Sequence, residues 1–188
     1  MRLTSGTLLA TLLAALLGTA LTATAVPLKT DAAKSSVSAV FKQMNVPVES
    51  KFKKFAAQID YDAARPELAK ASVDIDTASL DVGDPDMNKE VANKDWFNSA
   101  QYPKATFVSS SIKAAGAGKL ILNGKLSIKG KSSEVSFPLA LKTEAGRQVF
   151  EGALPIKRLS YGIGEGEWKD TSMVADEVVI KFRLVAGQ

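Results

Sequence analysis

The chain contains no histidine and no cysteine. That removes the imidazole base, the thiol nucleophile, the Ser-His-Asp triad and every zinc or haem site held by His or Cys. Chemistry is left to carboxylates, lysine, tyrosine and serine. Two S-x-x-K spacings occur, Ser50 to Lys53 and Ser110 to Lys113. This spacing serves catalysis where both groups share one helical face. Here both pairs lie in strand-like sequence, where residues three apart point to opposite faces. Carboxylates gather at Asp74, Asp76, Asp81, Asp84 and Asp86. They lack the Asp-x-Asp-x-Asp-Gly run and the later Glu of a helix-loop-helix calcium site. They read instead as the solvent face of a strand, with Asp84 as a helix cap. Glu165, Glu167 and Asp170 could act as acid and base only if they met in a pocket. Gly162-x-Gly164-x-Gly166 has neither Walker spacing nor a following apolar helix, so it reads as a loop packed around Trp168. The sequence assigns no catalytic residue, no metal and no cofactor.

The segment that must position any site runs from Asp84 to Ser111. Asp84 before Pro85 is an N-cap followed by proline at the first helical position. Asp86 places negative charge near the helix N-terminus. The pattern predicts a short helix to about Asn93, with Met87 and Val91 on one narrow apolar stripe. Trp96 and Phe97 follow side by side and need a large apolar place for at least one ring. Beyond Tyr102-Pro103 the chain enters a strand with Ala105, Phe107 and Ser109 on one face.

Elsewhere alternation of period two dominates. Val37, Ala39 and Phe41 share a face, as do Phe55, Ala57, Ile59 and Tyr61. Phe52 falls off that second register, which predicts a bulge near Lys53-Lys54. Ala71, Val73 and Ile75 form the next face. Leu120, Leu122, Leu126 and Ile128 follow, with Gly124 among them, then Val135, Phe137, Leu139 and Leu141. Pro138 suits an edge or a bulge. Phe150, Gly152, Leu154 and Ile156, and finally Val178, Ile180, Phe182 and Leu184, complete eight strands. Eight antiparallel strands close naturally into a barrel, filled by side chains or holding one small ligand. A two-sheet sandwich is the structural rival. Small inward residues (Ala39, Ala57, Ala105, Ser109, Gly124 and Gly152) between large ones leave room for a slender apolar guest.

The run W-F-N-x-A-x-Y-P-x-A-T-F-x-S-S from Trp96 to Ser110 resembles the signature of the YceI-like family of bacterial secreted proteins. Ile75-Asp76-Thr77-Ala78-Ser79-Leu80 resembles it too. Leu159-Ser160-Tyr161-Gly162-Ile163-Gly164, with Glu167-Trp168 and Asp170, resembles one subgroup. The resemblance implies an all-β, eight-stranded antiparallel lipocalin-like barrel with one short helical insertion. It also implies a long apolar ligand of the polyisoprenoid or fatty-acyl kind. Many members carry Arg-Asp and then His-Leu before the aromatic pair. Here the stretch reads Asp86-Met87-Asn88-Lys89-Glu90-Val91, so roles resting on those polar positions do not carry over. The residues expected to line the interior and touch the ligand are Phe41, Phe55, Ile59, Val73, Ile75, Trp96, Phe97, Ala105, Phe107, Leu122, Phe137, Phe150 and Phe182. Trp96 or Phe97 is expected to close one mouth.

Residues 1–25 read as a cleaved signal peptide, with Arg2, the apolar run Leu8 to Leu17 and the small-x-small site Ala23-Thr24-Ala25. The run is shorter than the ~20 residues of a membrane span. Residues 26–188 then form one exported, periplasmic domain. The net charge of +4 is mild, and no aromatic-interleaved basic stripe points to nucleic acid. Lys51, Lys53 and Lys54 read first as a solvated strand edge that resists aggregation; transient contact with anionic headgroups at a membrane surface is the alternative. A homodimer stays open. The function expected is sequestration or carriage of the apolar ligand. The alternatives are a carboxylate-dependent enzyme on an isoprenoid-like substrate, and a protein-interaction module with a packed core. The enzyme needs an acid inside the apolar cavity with a raised pKa, and the inward faces contain none.

Overall fold

The computed structural model describes residues 26–187; the expected signal segment lies outside them. Eleven strands and one α-helix follow in order: β1 (Val26–Thr30), β2 (Ser36–Gln43), β3 (Val46–Phe52), β4 (Phe55–Tyr61), β5 (Lys70–Asp76), β6 (Leu80–Asp81), α1 (Pro85–Ala92), β7 (Lys104–Ala114), β8 (Lys119–Ile128), β9 (Lys131–Glu144), β10 (Arg147–Lys157) and β11 (Val174–Gly187). Every pairing is antiparallel. The ring closes because β1 pairs with β4 on one side and with β11 on the other. The molecule is a closed barrel, which excludes the sandwich.

The eleven segments occupy eight strand positions. β1 and β2 share one, both pairing with β11. β3 and β4 share the next, broken at Lys53-Lys54, where the slipped register of Phe52 predicted an irregularity. The break is held by Lys53 N–H donating to Ser79 O at 2.9 Å and Lys54 N–H to Ser79 Oγ at 3.1 Å. Asn45-Val46-Pro47 reads from the sequence as a break after the first strand; Asn45 is instead the second residue of a two-residue hairpin loop, and Val46 and Pro47 open β3. Met44 and Asn45 both have positive φ, 47° and 65°, the type I′ geometry whose twist matches the flanking strands.

The first and last expected strands are neighbours. Phe41 faces Val178, Ala39 faces Ile180 and Val37 faces Phe182, so both sets look into one interior. Pro138 sits mid-strand without cost. Leu141 N–H donates to Gly118 O on the β8 side, so even-numbered positions of β9 point toward β10. That pairing ends at Leu139–Gly152, and the missing N–H of Pro138 breaks no ladder bond.

A bulge changes one face. The register between β7 and β8 shifts between Ser109 and Ser111. Strict alternation would turn Ile112 outward; the extra residue turns it inward, where it is buried.

Candidate ligand-binding site

The site is built on α1 and the turn after it. The Asp84 carboxylate accepts from the N–H groups of Asp86 and Met87, both at 2.9 Å, the N-cap that the Asp-Pro pair predicts. The helix ends at Ala92. Phe97 N–H donates to Val91 O and Asn98 N–H to Asn93 O, folding the chain back so that Trp96 and Phe97 diverge. Phe97 meets Phe52 edge-on at 6.2 Å, and Trp96 lies against Trp168 at 5.5 Å. The Trp168 indole donates to Glu90 Oε1 at 3.1 Å, tying α1 to the loop before β11. The same loop is held by Asp95 O, which accepts from Gly164 and Glu165 N–H at 2.8 and 2.7 Å.

The buried centre of this loop is Arg158, 2% exposed. Its guanidinium fork meets five backbone carbonyls. Nε donates to Ala175 O, Nη1 to Ile163 and Gly164 O, and Nη2 to Trp168 and Val174 O, at 2.7–3.1 Å. Only a planar five-donor group can serve carbonyls so arranged. Burial lowers the affinity of Arg158 for its proton, and the nearby Asp176 charge opposes that. Gly164 makes room for it. A Cβ there would stand 2.1 Å from Nη1, and its φ of 75° favours glycine in any case. The Gly-rich loop therefore wraps Arg158, not Trp168. Sequence reasoning missed Arg158, because an arginine at the end of an exposed-looking strand carries no sign of burial.

Below this lid a continuous cavity of about 270 Å³ runs down the barrel. It is lined almost wholly by apolar side chains. Twelve of the thirteen expected residues line it: Phe41, Ile59, Val73, Ile75, Trp96, Phe97, Ala105, Phe107, Leu122, Phe137, Phe150 and Phe182. Phe55 does not. It stands opposite Ile75 at the start of β4 and packs against the core instead. The expected room beside Gly124 and Gly152 is also taken. A Cβ on Gly152 would lie 2.4 Å from the Phe182 ring, and one on Gly124 2.7 Å from Phe107. Each glycine seats an aromatic ring. Those rings continue as a ladder across the wall, Phe107 to Phe137 at 5.4 Å and Phe137 to Phe182 at 5.7 Å.

The space lies elsewhere. Val73, Ile75, Phe107, Val178 and Ile180 all line the cavity, yet each is only half-buried. In a filled core such inward side chains would be fully covered. Among the lining residues only Gln43 and Met87 are exposed, which locates the mouth between the β2–β3 hairpin and α1. Met44, Val46 and Met173 are exposed beside it, with Met44 N–H donating to Met173 O.

The candidate chemical groups do not converge. Asp74 pairs with Lys104, Asp76 caps a turn through Ala78 N–H, and Asp170 accepts from Ser172 N–H. Glu165 reaches Lys129 at 3.3 Å. Asp81 accepts from Lys53, Asn88 and Gly83, which hold its carboxyl down to about 2. Lys53 is thus engaged and no partner for Ser50. No group of three or more metal-binding side chains occurs among the described residues. Glu90 corrects the expectation that no acid faces the cavity. It lines the mouth, but it is a single carboxylate held by Trp168 and Asn93.

The fold recurs in solved structures. BcnA of Burkholderia cenocepacia is 54% identical, with a TM-score of 0.81 over 84% of this chain and 99% of that one. A polyisoprenoid-binding domain from Saccharophagus degradans shares the fold at 18% identity, with a TM-score of 0.69 over 86% and 98% of the two chains. Among curated relatives, a UPF0312 protein of Shewanella sp. (strain W3-18-1) is 35% identical over 98 residues, 52% of this chain. The match spans about half (49%) of that relative's length. A UPF0312 protein of Azotobacter vinelandii is 31% identical over 133 residues, 68% of this chain and 67% of that protein. Residues 28–186, from β1 to the end of β11, match the YceI-like domain as a whole, and the chain belongs to the YceI-like family.

Proposed function

We propose that this chain is an exported binding protein that sequesters or carries one long-chain apolar molecule, of the polyisoprenoid or fatty-acyl type, inside its barrel. The observation that carries the reading is the set of inward apolar side chains left half-buried along a continuous cavity. Burial of each guest methylene contributes about 0.8 kcal/mol, so about ten buried carbons contribute about 8 kcal/mol, of the same order as the cost of association. Polyisoprenoids are the first class to test, since the fold is shared with a domain described as binding them. The exposed Met44, Val46, Met87 and Met173 around the mouth favour brief contact with a lipid surface during loading. Arg2, the Leu8–Leu17 run and Ala23-Thr24-Ala25 support export to the periplasm, and N-terminal sequencing of periplasmic protein should start at or near Val26. Binding is tested by loading the protein with an environment-sensitive apolar dye and titrating a long-chain prenyl alcohol. Saturable displacement at one equivalent is expected. Failure of dye and prenyl alcohol alike to bind would overturn the reading.

A further inference from the structure

Met44, Met87 and Met173 are the methionines of the described residues, and none is buried. They are 63%, 47% and 46% exposed. Methionine is ordinarily a residue that proteins bury, as an adaptable filler of the core. Here valine, isoleucine, leucine and phenylalanine do most of that filling, and all three methionines stand at one end of the barrel. They come from separate segments: the β2–β3 hairpin loop, α1 and the turn before β11. Met44 N–H donates to Met173 O at 2.8 Å, which holds the hairpin loop against the chain entering β11. The neighbours of that pair, Gln43 and Val174, face each other across β2 and β11, and both line the cavity. Met87 lines it directly, one helical turn before Val91, which lines it too. The mouth between the hairpin and α1 is thus rimmed by thioethers that a guest must pass.

A thioether suits an apolar guest until it is oxidised. Methionine sulfoxide is polar and chiral, and its formation is reversed by dedicated reductases. Exposure governs how readily the sulfur reacts, and these three side chains are open to solvent. The chain has no cysteine, so no thiol competes for the oxidant. The two tryptophans at this end are more covered and pack on each other at 5.5 Å.

We propose that Met44, Met87 and Met173 form an oxidation-sensitive gate, a modification site through which a peroxide controls loading. Each thioether sulfur attacks one peroxide oxygen. The O–O bond breaks, a sulfur–oxygen bond forms and water leaves; sulfur gives up two electrons and the peroxide takes them. The polar rim then opposes passage of an apolar chain. This rests on the binding function proposed above and adds its regulation. The test follows uptake of a pyrene-labelled long-chain alcohol from phosphatidylcholine vesicles by the full chain, before and after hydrogen peroxide. Peptide mapping should place one added oxygen on each of the three methionines. Uptake should then slow by about tenfold, the effect of setting one uncompensated polar group in the path. Methionine sulfoxide reductases of both epimer classes, with a dithiol as reductant, should restore the original rate, a readout that needs no variant. A triple variant, Met44→Leu, Met87→Leu and Met173→Leu, should show a rate of its own that peroxide leaves unchanged. Sulfurs that resist peroxide under conditions that oxidise free methionine, an oxidised protein that loads as before, or a triple variant that peroxide slows as much as the native chain overturns the gate and leaves the binding function standing. No uptake by the unoxidised protein overturns both.

Discussion

Replacing Arg158 by Met keeps a side chain of similar length and removes the fork that binds five carbonyls. Three of those carbonyls belong to the buried residues Ile163, Gly164 and Val174, and water cannot readily replace the lost donor. Those of Trp168 and Ala175, on half-buried residues, can be rehydrated at small cost. Each buried acceptor left unpaired costs about 1–3 kcal/mol. Relief of the buried guanidinium's own desolvation offsets part of this. A net loss of about 3–5 kcal/mol results, in the range for breaking a buried charged network. For a domain of this size 1 kcal/mol shifts Tm by about 2–4 °C, so a fall of roughly 10 °C is expected. Far-ultraviolet circular dichroism need not be the only probe. Tryptophan fluorescence reads the lid directly, since Trp96 lies beneath Arg158 and Trp168 O is one of its acceptors. Arg158→Lys should recover little, because an ammonium lacks the planar fork. A change in Tm below about 2 °C for Arg158→Met would show that the five bonds do not hold the lid and would refute the reasoning.

Ala105 is buried, faces Ile75 and lines the cavity. Ala105→Phe should abolish uptake of a prenyl alcohol with only a small change in Tm; a loss of about 1–3 kcal/mol with uptake intact would mean a closed core at that level. The two ring-seating glycines should separate. Gly124→Ala drives its Cβ toward Val108 O at 2.4 Å, which the strand cannot move, whereas Gly152→Ala meets only the outer edge of Phe182. Urea denaturation should find Gly124→Ala the more destabilising, by about 1–3 kcal/mol, while Gly152→Ala pushes Phe182 into the cavity and weakens ligand binding. Acid should loosen the mouth. The Asp81 pKa is depressed from 3.8 to about 2 on folding, chiefly by Lys53 and Asn88, so its contribution is present above pH 4 and lost as pH falls toward 2. Asp81→Asn should flatten the stability-against-pH curve in that window, as measured by urea midpoints.

The barrel was legible because one face of each strand is apolar and period two survives along most of the chain. The helix was legible because Asp84-Pro85 carries its own start signal. What alternation could not show lies where the period breaks. The β7 bulge turns Ile112 inward, against the parity set by Ala105 and Phe107. The Met44–Asn45 turn hides a hairpin behind what reads as an interruption. Phe55 shares a face with Ile59, but at the start of β4 that face meets the core and not the cavity. Gly124 and Gly152 read as empty space, and only the cross-strand partner shows that a ring fills it. Arg158 was hidden for a different reason. Its acceptors are all main-chain carbonyls, which no pattern of side-chain types records.

The space beside Val73, Ile75, Val178 and Ile180 is proposed to hold a long apolar molecule. Native mass spectrometry of the full chain, purified from bacterial cells, tests it most directly. A species heavier than the polypeptide by the mass of one lipid is expected, which solvent extraction removes and a prenyl alcohol restores. A spectrum showing the bare polypeptide alone, unchanged after incubation with prenyl alcohols and fatty-acyl chains, would contradict it.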